Sequence, residues 1–138
     1  MHCRDEEPSI FWIEDNAALA DAVASWHDSI GLDTEFIRTD TFYPIPGLYQ
    51  IASGAEIFLL DPLAIDDWAP FVDFLEDPKR TKVMHACQED LELMHVHLQC
   101  TPQNLVDTQL AYAYVSKHSL DCSHKIRSKL ISIIENRI

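Results

Sequence analysis

Between Ser29 and Leu60 three apolar segments follow one another with hairpin-length links, and this run constrains the fold more than any other stretch of the chain. Ser29 to Ile37 reads as a buried strand interrupted by carboxylates. Leu48 to Ala52 and Glu56 to Leu60 read as two further strands around a turn at Ser53-Gly54. Such links make antiparallel neighbours, because a parallel connection needs a crossover of a dozen or more residues. On either side of this meander the apolar period changes to that of helices. Ile10 to Ile13 is a short strand, after which Asp15 or Asn16 caps a helix with its stripe on Leu19, Ala22, Val23 and Trp26. Asp66 or Asp67 caps a second helix, with Trp68, Phe71, Val72 and Leu75 on one face, ending near Pro78. Lys82 to Ala86 forms a strand, a helix begins near Gln88 with Leu91, Met94 and Leu98 on one face, and Asn104-Leu105-Val106 leads through Asp107-Thr108 into another helical stretch. Strands that alternate with helices after a meander predict a mixed α/β sheet. At 138 residues and 47% hydrophobic content the chain reads as one domain, 1–138.

Charge narrows the partners. A formal net charge of −13 argues against broad attraction to phosphate backbones, so nucleic-acid chemistry on this chain needs metal ions or a basic partner domain. The charge is uneven: residues 1–110 carry 21 acidic and 5 basic side chains, whereas 111–138 carry 2 and 5. No run of about 18 apolar residues appears, and the first residues are acidic where a signal peptide is basic and then apolar. The prediction is a soluble, cytoplasmic protein with no membrane contact, in which Cys3, Cys87, Cys100 and Cys122 are reduced thiols.

The candidate chemistry lies in carboxylates. Asp33 and Glu35 are two apart in a strand, so the pleat points both to the same face. Two adjacent anions on an apolar strand persist if that face meets solvent, or if they are protonated, paired with cations or bound to a metal. Asp90 falls in the first turn of a helix directly after a strand, where an acid also suits the helix dipole.

Taken together, Leu32-Asp33-Thr34-Glu35-Phe36, Gly47-Leu48-Tyr49-Gln50, His85 to Leu91 and Asp107-Thr108-Gln109 resemble the ribonuclease D family, in order and in spacing. The resemblance covers about residues 10–115 and includes Phe36-Ile37-Arg38-Thr39 and Leu60-Asp61-Pro62-Leu63. It implies membership of the DEDD exonucleases: an RNase H-like mixed sheet flanked by helices, and four acids that hold two divalent metals, Mg²⁺ or Mn²⁺. Asp33, Glu35 and Asp90 match three of the four. By that resemblance Asp33 bridges the ions, Glu35 binds the ion that activates the attacking water, and Asp90 supports the second ion partly through water. Oxygen ligands suit such hard cations. The implied reaction releases 5′-mononucleotides from RNA 3′ ends, single-stranded or in tRNA precursors.

The family's fourth acid lies in a Tyr-x-x-x-Asp motif, and this sequence contains none: Tyr112 is followed four residues on by Ser116, and Tyr114 by His118. Asp107 is better explained as a helix cap than as a substitute. From about 116 to 138 the chain reads as a basic helical tail with a stripe on Ile126, Leu130 and Ile133 or Ile134, which caps the exposed core or grips RNA. The expectation is therefore a C-terminally incomplete nuclease domain with impaired activity, by a shifted frame or a truncation. The alternative is a non-catalytic RNase H-like module that binds nucleic acid or regulates a partner. His85, Cys87, His95, His97 and Cys100 match no common zinc spacing and read as core and surface residues, and Trp12, Trp26 and Trp68 all fall on apolar faces and read as core.

Overall fold

A computed structural model describes residues 7–118 of the chain. The order of elements is β1 (Ser9–Ile13), α1 (Asn16–Ser25), β2 (Ser29–Ile37), β3 (Ile45–Ser53), β4 (Glu56–Leu60), α2 (Ala69–Glu76), β5 (Thr81–Met84), α3 (Gln88–Leu98), β6 (Leu105–Asp107) and α4 (Thr108–His118). The strands form one mixed sheet in the order β1-β4-β3-β2-β5-β6. As the short links require, β2, β3 and β4 are antiparallel neighbours, whereas β1 joins β4, β5 joins β2 and β6 joins β5 in parallel. The tail stripe on Ile126, Leu130 and Ile133 or Ile134 lies outside the described residues. Among those described, no helix is long and apolar enough to cross a membrane.

The alternation of the strands sorts the sheet into two faces. Ile30, Leu32, Tyr49, Ile51, Phe58 and Leu60 are buried under the helices. Trp26 packs edge-on against Phe58, Phe71 and Phe74 with ring centroids 5.2–5.9 Å apart, joining the end of α1 to α2 and the sheet. Local chemistry sets the ends of these elements. Asp15 caps α1 through a 2.7 Å bond from the Ala18 N–H. The β3–β4 turn uses Gly54 at φ +59°, and an added Cβ there would lie 2.8 Å from the His27 ring.

Lys82 is wholly buried, yet its ammonium donates to the carbonyls of Asp77, Arg80 and Gln103 at 2.7–2.8 Å. Loss of hydration pulls its pKa down to about 8, partly offset by the nearby Asp77 charge.

Four readings of the sequence need correction. Trp12 is not core: β1 is an edge strand, Ile13 points to the helices, and Trp12 is 61% exposed on the other face. Trp68 is only half-buried, packed against the core. β5 ends at Met84 because Ala86 turns to φ +51°, where the Ala86 and Cys87 N–H groups meet the Asp107 carboxylate. α2 begins at Ala69 with Trp68 as its cap residue, Asp67 accepting from the Ala69 N–H while Asp66 accepts from the Asn16 side-chain amide.

Candidate active site

The β2 strand carries Asp33 and Glu35 on the face away from α1, α2 and α3, and both side chains are exposed. That face forms a cleft of about 510 Å³ lined by Asp33, Gln50, Ala52, Ile57 and His85, with Thr108 at the start of α4 closing one side. Gly31 forms part of its floor. Glu35 is drawn toward Gln50, its partner strand's amide donating at 3.5 Å. Farther along the strand, Gly47 lets β3 approach closely, because a Cβ there would lie 3.2 Å from the Glu35 carbonyl oxygen.

Asp90 comes from the other direction. β5 pairs with β2 only as far as Gly31, so beyond that point the edge of β2 is uncovered, and α3 closes the gap. The Asp90 side chain is buried there and accepts a short hydrogen bond from the Thr34 hydroxyl. Thr34 points to the helix face, between the two exposed acids, so Asp90 meets β2 at its edge rather than within the cleft. Burial raises the Asp90 pKa. The Thr34 hydroxyl opposes that shift, and the Asp33 charge adds to it. α3 therefore turns Asp90, Leu93, Met94 and Leu98 inward, with Leu91 less buried than its spacing implied.

Asp33 and Glu35 thus lie on one face of β2, and Asp90 meets the same strand from the helix side at Thr34. Among the described residues, no three His, Cys, Asp or Glu side chains already stand together as a cage for a metal ion. The donor set still fits a hard divalent cation: exposed carboxylates at Asp33 and Glu35, and beside them a buried carboxylate for which a cation would compensate the loss of hydration.

Asp107 has a different place. Its carboxylate accepts from the N–H groups of Ala86, Cys87, Gln109 and Leu110 at 2.9–3.4 Å, which makes it the cap of α4 and a clamp on the β5–α3 turn. Burial alone would raise its pKa, but the hydrogen bonds from Cys87, Ala86 and Gln109 outweigh it and hold the carboxyl down at about 2. The His and Cys residues have separate partners: His85 bonds Thr108 at 2.7 Å, His97 bonds the Tyr49 hydroxyl at 2.8 Å, and Cys87 and Cys100 are buried free thiols.

Sequence reasoning did not find Thr34, Gln50, His85 and Thr108 as parts of the site. Thr34 lies in the motif of Asp33 and Glu35 and Gln50 in a separate one, so the Gln50 contact depends on the register of β3. The roles of His85 and Thr108 depend on β5 and β6 lying side by side.

Comparison with known proteins follows this geometry. Residues 10–132 match the family model described as a 3′–5′ exonuclease. Ribonuclease D of Pseudomonas paraeruginosa is 46% identical over 126 residues, covering 89% of this chain and 34% of that protein. The crystal structure of Escherichia coli RNase D, described as an exoribonuclease involved in structured RNA processing, superposes with a TM-score of 0.72 at 43% identity, covering 78% of this chain and 29% of that one. Trypanosoma brucei RNase D in complex with RNA U12 shares the fold, with a TM-score of 0.69 at 24% identity over 79% of this chain and 40% of that one. The chain spans about a quarter to a third of the length of the curated relatives it matches. Its mixed sheet and these likenesses agree: the chain belongs to the ribonuclease D family of 3′–5′ exonucleases.

Proposed function

We propose that this chain, acting as one cytoplasmic domain, carries the greater part of a metal-dependent site that shortens RNA from its 3′ end, in single strands or tRNA precursors. The observation that carries the reading is the hydrogen bond that brings Asp90 of α3 to Thr34, the residue between Asp33 and Glu35 on β2. Asp33, Glu35 and Asp90 would hold Mg²⁺ or Mn²⁺. Bound there, the ions would supply an activated water and offset charge at the phosphodiester. Thr34 positions Asp90 by its hydroxyl, Gln50 restrains Glu35, and the cleft beside Asp33 gives room for the terminal nucleotide.

A melting series tests the metal site. Millimolar Mn²⁺ is expected to raise the midpoint, since a ligand that binds only the folded state stabilises it by mass action. At a concentration of 100 Kd the gain is about 2.7 kcal/mol, and Asp33→Asn removes most of it. An unchanged midpoint would mean that the three acids do not form a working site.

A further inference from the structure

The β2–β3 hairpin runs past the acids and ends in a tip that the core does not use. Ile37 and Ile45 face each other across the strands and are 58% and 49% exposed. Beyond them Phe42 is 84% and Tyr43 55% exposed. The two rings stand edge to face, with centroids 4.8 Å apart and an interplanar angle of 89°. Four large apolar side chains within nine residues, all outside the core, form a patch of the kind that marks an interaction site.

The patch is anchored. Arg38 at the base of the tip pairs with Glu92 of α3 at 2.7 Å, on the same helix that brings Asp90 to Thr34. A register shift between Glu35 and Phe36 bends the hairpin just beyond the second acid. The tip therefore continues the same two strands that carry Asp33, Glu35 and Gln50.

Charge then selects what the tip can hold. With a net charge of −13 and its own Arg38 engaged by Glu92, this chain has little with which to grip phosphates. Aromatic rings hold single strands without positive charge, because every base presents a flat π-face. We propose that Phe42 and Tyr43 form a stacking platform for the unpaired bases behind the 3′ end of an RNA strand whose terminus lies at Asp33 and Glu35. This deepens the exonuclease reading and rests on it.

The test uses the 138-residue chain and a 5′-fluorescein-labelled ten-residue oligouridylate, with anisotropy read in Ca²⁺ at low and high salt. Phe42→Ala and Tyr43→Ala should each weaken binding roughly tenfold, in line with the loss of one stacked base. Tyr43→Phe should bind as the parent does, because the ring face and not the hydroxyl acts. An oligomer that keeps its 3′-terminal base but has abasic units at the positions behind it should bind the parent as weakly as the double variant binds the normal oligomer. Melting midpoints should stay unchanged, since both rings lie outside the core. Equal binding of normal and abasic oligomers by parent and double variant would overturn the platform. Loss of self-association in the variants, with RNA binding intact, would overturn it too and make the tip a contact between copies. Shortening of the oligomer in Mn²⁺, and its loss in Asp33→Asn, reads the exonuclease proposal separately.

Discussion

Asp107 accepts hydrogen bonds from both flanks of a junction, the β5–α3 turn on one side and the first turn of α4 on the other. An acid that looked like a simple cap in sequence therefore holds two elements together. Its pKa is depressed to about 2, so its contribution to stability is present above the ordinary aspartate value near 3.8 and is lost as pH falls through about 2. Asp107→Ala should cost about 1–2 kcal/mol at neutral pH, as lost caps do, and should flatten the decline in melting midpoint between pH 4 and 2. A variant that melts like its parent at pH 7 would deny the clamp. Asp33 and Glu35 were legible because a strand's period of two fixes which neighbours share a face. The partners of these acids were not, because Thr34–Asp90 depends on how α3 is rotated, and Gln50–Glu35 on the register of β3.

Three contacts dock α3: Thr34 to Asp90, Tyr49 to His97 and Arg38 to Glu92. The middle one is sensitive to pH. His97 lies under Trp68 and against the Tyr49 ring, with centroids 5.3 and 5.8 Å away, and burial lowers its pKa below the usual imidazole value. A base whose folded pKa is lowered contributes stability that is full above its unfolded pKa, about 6.5, and is lost as pH falls below that value. The melting midpoint should therefore fall between pH 7 and pH 5, and His97→Leu should reduce that slope. An unaltered slope would show that the loss comes from other groups. The existence of α3 was legible from its apolar spacing, but its inward face was not, since a buried acid at Asp90 shifts the stripe away from Leu91. β1 was legible as a strand and not as an edge, so Trp12 looked like core. Nothing within five residues tells a strand whether a neighbour lies on one side or on both.

At the scale of the whole molecule, the helices α1 to α3 cover one face of the sheet, while Asp33, Glu35 and the cleft beside Asp33 occupy the other. The meander and the later strand–helix alternation made this mixed sheet legible, because link length alone separates antiparallel from parallel neighbours. The contact of α3 with β2 through Asp90 and Thr34 was not legible in spacing alone. Activity is the property of this scale. Any shortening of a 5′-labelled single-stranded RNA by this chain should require Mg²⁺ or Mn²⁺, and Asp33→Asn should slow it by roughly the 10² to 10³ typical of losing one transition-state group. Equal rates for parent and variant would mean that Asp33 takes no part in the reaction. Lys82 carries a consequence of another kind. Its three carbonyl partners sit in the segments that enter β5 and β6, so inserting or deleting a residue between 77 and 81, or in the turn that brings Gln103 into place, would strand a buried cation. Those two connections should keep their length as the family diverges, even where their residues change freely.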